Sequence, residues 1–252
     1  MRHRPFRAQS PPNDCRNCPL RRLPMIAPVT SEEIKAIGRA RGEVRYYRPH
    51  ATLYYEGDPG SDLFTLFSGW AFSFQMLRDG RRQILRFMLP GDVIGVQPDL
   101  VGPMDHGVET VTDASACVFR RDALRELLAH DPELSWQLVW LLAHDQALLR
   151  EHLTGIGRRH VTERLGCLLL EIYHRMARRD MAEGTSCPFP LTQTHLADAL
   201  GLASAHVSRL LRRLREDGYV TIKSGWLHLH DLDGLTEISQ FDDRTLTRRP
   251  ML

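Results

Sequence analysis

The 252-residue sequence predicts an α+β protein: an N-terminal β-barrel of jelly-roll type, a long helix, and a C-terminal winged helix-turn-helix. Three observations carry that expectation. Short β-rich runs separated by glycine turns fill the region from about Glu43 to Arg120, a leucine-striped segment follows from Pro132, and the stretch from Leu191 to Leu214 has apolar residues at helical spacing on both sides of Gly201. The length suffices for two modest domains, and 42% hydrophobic with 25% charged residues fits a globular chain. No apolar run reaches the length of a membrane span, and MRHRPFRAQSPPND lacks a secretory apolar core. The expected location is the cytoplasm, with no membrane partner.

In chain order, residues 1–25 read as an N-terminal arm, basic and mobile over its first 14 residues, that ends in the C-x2-C of Cys15 and Cys18. A barrel domain follows over 26–130. It opens on a short helix, Ser31 to Ala40, with Glu32 and Glu33 in the first turn, where acidic side chains favour the helix dipole. The runs EVRYY, TLYY, DLFTLF, WAFSFQML, RQILRFML, VETVT and ACVFR then read as strands. Glycines 57, 69, 80 and 91 fall between them at intervals of eleven or twelve residues, the rhythm of an all-β sandwich or barrel.

Residues 131–159 read as a dimerisation helix. Asp131 caps it, Pro132 takes its first position, and leucines from Leu134 to Leu153 form a stripe wide enough to cover the barrel and a second helix. Trp136 and Trp140 read as core anchors, and Gly155 with Gly157 as an interruption and hinge. The winged helix-turn-helix occupies 160–240. It begins with a helix from Val161 to Met176 and a linker through Pro188-Phe189-Pro190, and a tail covers 241–252.

Within the helix-turn-helix, Thr192 is placed to cap the first helix and Ser204 the second. The second helix keeps Ser204, His206, Ser208, Arg209, Arg212 and Arg213 off its apolar stripe of Val207, Leu210, Leu211 and Leu214. A helix of that kind fits the DNA major groove, its first side chains at base edges and its arginines near phosphates. Thr192 and Gln193, at the start of the preceding helix, complete the candidate DNA-contacting set. An ordinary helical hairpin with a solvated basic face would share part of this pattern. The alternation of YVTIKSGWLHL around Ser224-Gly225, a β-hairpin wing, favours DNA binding. The net charge of +2 is too small to decide the matter, but the arginines cluster at 209–215.

This order of domains, with Gly91-Asp92-Val93-Ile94-Gly95, Arg164-Leu165 and Val207-Ser208-Arg209-Leu210-Leu211, resembles the Crp/Fnr family of transcription regulators, closest in pattern to its fumarate-nitrate branch. The resemblance runs from about Cys15 to Leu235. It implies a cyclic-nucleotide-binding-like barrel, a homodimer on a palindromic operator, and RNA polymerase as a partner. Two departures limit what carries over. Members that bind cyclic AMP hold its ribose with a glutamate just after the second glycine and its phosphate with a later arginine. Here Val96 and Gln97 follow Gly95, and residues 104–109 contain no arginine, which argues against cyclic AMP. In the recognition helix Ser208 and Arg209 match the branch, whereas its base-reading glutamate is replaced by Ala205.

Five cysteines, an odd number in a reducing compartment, argue against a disulfide framework. By resemblance, Cys15, Cys18 and Cys117 stand where the fumarate-nitrate branch carries iron-sulfur ligands. The fourth ligand's position falls near Pro24, leaving Asp14, His3 or solvent to complete the set. A thiol switch and plain packing are the other readings, and Cys167 reads as core. A rival class, a metal-dependent barrel enzyme of the cupin type, needs several histidines converging inside the barrel. The strands from 43 to 89 carry only His50, in a turn, and no nucleophile-base pair or phosphate-cradling glycine loop is present, so the expected protein is not an enzyme.

Overall fold

The computed structural model describes residues 8–23, 29–60, 62–97 and 102–243; His3, Pro24 and the tail from Arg244 lie outside them. The chain divides into two compact units, Met1–Trp140 and Leu141–Leu252.

In the first unit, two 3-10 turns, Cys15–Asn17 and Pro19–Arg22, precede helix α1 (Ser31–Ala40). Thr30 caps that helix by accepting the Glu33 amide, while the Glu33 carboxylate accepts the Thr30 amide. Eight strands follow: β1 (Arg41–Tyr47), β2 (Thr52–Tyr54), β3 (Leu63–Ser68), β4 (Ala71–Met76), β5 (Arg82–Met88), β6 (Val93–Ile94), β7 (Gly107–Thr110) and β8 (Ala114–Phe119). They pair antiparallel in two sheets, ordered β1-β8-β3-β6 and β2-β7-β4-β5. The expected barrel is thus a jelly-roll-like sandwich. One edge of each sheet is short, β6 with two residues and β2 with three. Phe64, Leu66 and Val118 from one sheet meet Tyr54, Met88 and Val108 from the other in a shared core.

The turn between β3 and β4 needs glycine. Gly69 takes φ +87°, and a Cβ there would lie 2.3 Å from the Asp113 carbonyl oxygen and 2.7 Å from Ala114 Cα. Gly69→Ala is therefore expected to cost about 2–5 kcal/mol, combining left-handed strain with overpacking against backbone. A melt that leaves the sandwich within a degree of the parent would refute that assignment.

Residues 8–14 correct the expectation of a mobile arm. The Gln9 amide donates to Ser68 Oγ at 2.9 Å, the Ser115 hydroxyl donates to the Gln9 carbonyl, and Tyr46 meets Ser10 at 2.9 Å. The Arg41 guanidinium donates to the Pro12 and Asn13 carbonyls at 2.8 and 2.7 Å. A helix not foreseen, α2 (Arg121–His130), closes the sandwich region before α3 (Pro132–Arg158), whose first turn Asp131 caps through the Leu134 amide at 3.1 Å. Two further corrections concern α3. Trp136 is exposed rather than a core anchor, and the helix runs unbroken through Gly155 and Gly157.

In the second unit, α4 (Val161–Ala177) is followed by β9 (Ser186–Pro188), α5 (Gln193–Leu200), α6 (Ser204–Glu216), the hairpin β10 (Val220–Lys223) and β11 (Trp226–Leu229), and α7 (Leu232–Ser239). The expected linker around Pro188 is in part a strand: β9 pairs with β11, Cys187 opposite Leu227, making a three-stranded wing sheet. Leu169, Leu170 and Ile172 of α4 are fully buried with Phe189, Val207, Leu227 and Leu235. Polar anchoring comes from Glu171, where His152 Nε2 lies 2.6 Å from Oε2 and Arg175 Nη1 lies 3.1 Å from Oε1. Burial opposes ionisation of Glu171, but the His152 and Arg175 charges and hydrogen bonds outweigh it and hold the carboxyl down to about 2. Burial likewise works against the His152 cation, and Glu171, with Glu151 adding a little, overcomes it and raises the imidazole above its ordinary value.

Candidate nucleic-acid interface

Helices α5 and α6 meet at Gly201, whose φ of +63° ends α5 in the left-handed conformation. Thr192 caps α5 as expected: its hydroxyl accepts the His195 amide at 3.2 Å, and His195 Nδ1 accepts the Thr192 amide at 3.2 Å. That leaves the neighbouring amides of the first turn, beside exposed Gln193, open to a phosphate. From α4, the Arg164 guanidinium donates to the Leu200 carbonyl at the end of α5. The pair of helices is thereby pinned from behind.

Ser204 does not cap α6. The helix begins at Ser204, Ala203 is the N-cap, and no side chain bonds the free amides there. The hydroxyl of Ser204 is exposed at the very end of the helix. Val207, Leu210 and Leu214 are buried, whereas Ser204, Ala205, Arg209, Arg212 and Arg213 are exposed and His206 and Ser208 half-buried. All of the residues expected at base edges or phosphates on this helix thus lie off its buried stripe. Arg212 and Arg213 approach Glu216 and Asp217 at 3.9 and 3.6 Å. Such exposed pairs hold weakly and yield to phosphate. Among the described residues Arg209 makes no hydrogen bond or ion pair, which leaves its fork of donors for a guanine edge.

The wing turn falls at Ser224 and Gly225, with φ of +53° and +78°, the two-residue form that matches strand twist. Along β11, the rings of Trp226, His228 and His230 stack in a ladder at 6.5 Å steps. His228 meets Ser186 and His230 meets Thr221, both at 2.9 Å. The residue types alone marked 191–214 and the arginines up to 215; they passed over exposed Lys223 beside the wing turn. A lysine one residue before a Ser-Gly turn was the available signal.

The features expected of the sensory domain occupy the first unit, and of the remaining cysteines Cys167 lies in the second. Cys15 opens the first 3-10 turn and Cys18 lies between the two, beside α1, where a Cβ on Gly38 would lie 3.9 Å from that of Cys15. Cys117 is buried mid-strand in β8, between Val44 of β1 and Thr65 of β3. Burial pushes the Cys117 thiol up to about 11, against the pull of Arg41 and with a little help from Cys18 and Cys15. Burial raises Cys18 too. Cys167 is half-buried, its thiol 3.1 Å from the Ser239 carbonyl. Gln97 is buried, and its amide bonds the Gly102 and Pro103 carbonyls at 3.3 and 2.9 Å while accepting the Asp105 amide at 3.2 Å. Beside it, Tyr54 meets His106 Nε2 at 3.1 Å, and His106 Nδ1 meets Asp105 at 2.5 Å.

A two-sheet sandwich joined through a long helix to a winged helix-turn-helix with an exposed arginine face defines a DNA-binding regulator. Residues 44–131 match the family model described as a cyclic nucleotide-binding domain, and residues 163–238 match the Crp-like helix-turn-helix domain. The chain is 29% identical to the transcriptional activator protein FnrL of Cereibacter sphaeroides over 83% of its own length and 84% of that protein's. It is 26% identical to the nitrogen fixation regulation protein FixK of Bradyrhizobium diazoefficiens, over 86% and 90% of the two lengths. The solved structure of FixK2 from Bradyrhizobium japonicum superposes with a TM-score of 0.72 at 26% identity, covering 78% of this chain and 96% of that one. The protein belongs to the Crp/Fnr family of transcription regulators. The helix-turn-helix favours that function over the barrel enzyme.

Proposed function

We propose that the protein works as a homodimer on a palindromic DNA operator in the cytoplasm, without catalysis, and acts on transcription through RNA polymerase. The observation that carries this reading is the exposed face of α6, where Arg209 is uncommitted and Arg212 and Arg213 are held only by exposed partners. Arg209 reads a guanine, Ser208 and His206 meet neighbouring bases, and Ser204, Thr192, Gln193, Arg212 and Arg213 lie along the phosphates. Two-fold symmetry of the protein demands two half-sites about one helical turn apart. Sedimentation of the full chain with a symmetric duplex tests this. Two chains per duplex are expected, and one chain per duplex would overturn the dimeric reading.

The signal in this reading is not cyclic AMP. Residues 104–109 offer a phosphate no guanidinium, and the Gln97 amide is spent on its own loop. An oxygen or redox signal enters instead at Cys15, Cys18 and Cys117. With Cys15, Cys18 and Cys117 as its side-chain donors, an iron-sulfur cluster would need its fourth ligand from His3, outside the described residues, or from solvent. Asp14 is tied to Arg16 at 2.6 Å, and among the described residues no three His, Cys, Asp or Glu side chains stand together in a metal-holding arrangement. If these thiols act as a redox switch without a cluster, protein purified without oxygen is expected to be colourless and free of iron. Broad absorption near about 400 nm that bleaches in air would overturn this part of the reading.

A further inference from the structure

Helix α3 ends at Arg158 and α4 begins at Val161, so only Arg159 and His160 connect them. Every residue in such a connection adds soft backbone torsions that can turn the chain. The Arg159 side chain opposes that freedom. Its guanidinium pairs with Glu151, about two turns back on α3, at 2.5 Å, and donates to the Gln240 carbonyl at 3.2 Å. Gln240 is the left-handed residue, φ +49°, that closes α7. The chain around it is strapped along one face of α4. The Cys167 thiol donates to the Ser239 carbonyl at 3.1 Å, the Phe241 ring stacks on His174 at 5.4 Å and 7°, and Asp243 lies 3.8 Å from Arg178.

We infer that Arg159 is a positioning residue for operator reading: it fixes the direction in which the DNA-binding helices leave α3. It joins α3 to the end of α7, residues 239–243 join α7 to α4, and the Arg164 bond to the Leu200 carbonyl joins α4 to α5. The inference rests on the homodimeric reading and adds to it a residue that sets the spacing of the half-sites. One base pair added between half-sites moves them about 3.4 Å apart and turns one of them by about a tenth of a turn. Two heads held in fixed directions reject that change, whereas heads on a loose junction follow the DNA. Arginine suits the task because its guanidinium stays charged at every working pH and presents several donors in one plane. The hold is therefore permanent and needs no signal.

The test uses the full chain and three duplexes: the one the parent selects from a random pool, a single half-site of it, and the same duplex with one base pair added between its half-sites. Arg159→Ala is expected to bind the half-site as the parent does, while its preference for the selected spacing falls by about ten-fold or more. Arg159→Lys, which keeps the charge, should retain part of the preference. Phe241→Ala loosens the strap away from the junction and should shift the preference in the same direction, so it carries the test if Arg159→Ala does not fold. A spacing preference unchanged in Arg159→Ala would overturn the inference. So would an equal loss on all three duplexes, which is what a phosphate contact or general destabilisation gives. A parent indifferent to spacing with two chains on the duplex would overturn it as well. One chain per duplex would instead remove the homodimeric reading itself.

Discussion

Replacing Glu171 with alanine is expected to lower the stability of the C-terminal unit by about 3–5 kcal/mol, since it strips the shared carboxylate from a buried arginine and a histidine. Arg175 is 4% exposed, and its guanidinium faces Glu171 at 3.1 Å. Glu171→Gln keeps part of the hydrogen bonding and loses the charge, and should fall between the parent and alanine. The pH dependence follows from the two shifts. Glu171, held down to about 2, contributes stability that is fully present above about pH 4.5 and is lost as pH falls toward 2. His152, raised above its ordinary value, contributes stability that is present below about pH 6.5 and fades as pH rises through its folded value. The His152–Glu171 pair is thus strongest in mildly acidic solution. Urea unfolding across that range reads both effects, and a Glu171→Ala midpoint equal to the parent's at pH 6 would contradict the account.

The second large effect is on DNA. Arg209→Ala is expected to cost about 1–3 kcal/mol of operator affinity, a loss of roughly ten- to a hundred-fold, because it removes a two-pronged base contact. The loss should be concentrated at one base pair per half-site. Arg212→Ala should instead weaken binding to every sequence and flatten the salt dependence by about one unit of slope. Anisotropy titrations at two salt concentrations separate the cases. Unchanged specificity in Arg209→Ala would mean that α6 enters the groove in a different register.

Local signals made the DNA-binding half legible in sequence. Thr192 and Gly201 punctuate α5 through bonds to residues three or four away, and the stripe of Val207, Leu210 and Leu214 fixes which face of α6 is buried. The illegible features depend on distant partners. Pro188 read as linker because only Trp226, far along the chain, reveals it as a strand residue. The arm at 8–14 looked featureless because its bonds go to Tyr46, Ser68 and Ser115. Gly155 seemed a break, yet it is buried with Arg164 close by, and packing outweighs the roughly 1 kcal/mol that glycine costs a helix. Helix α2 was lost between two stronger signals, the last strand and the Asp131-Pro132 start of α3. The Glu171 cluster joins residues nineteen apart on two helices, a pairing that no periodicity announces.

The central claim is that a pair of α6 helices reads a two-fold symmetric DNA sequence. Its most direct test is selection from random duplexes with the full-length protein, followed by sequencing. The account predicts enrichment of an inverted repeat whose half-sites lie about one helical turn apart, each with a guanine at the position that loses discrimination in Arg209→Ala. A single asymmetric site, or no enrichment above non-specific binding, would contradict it.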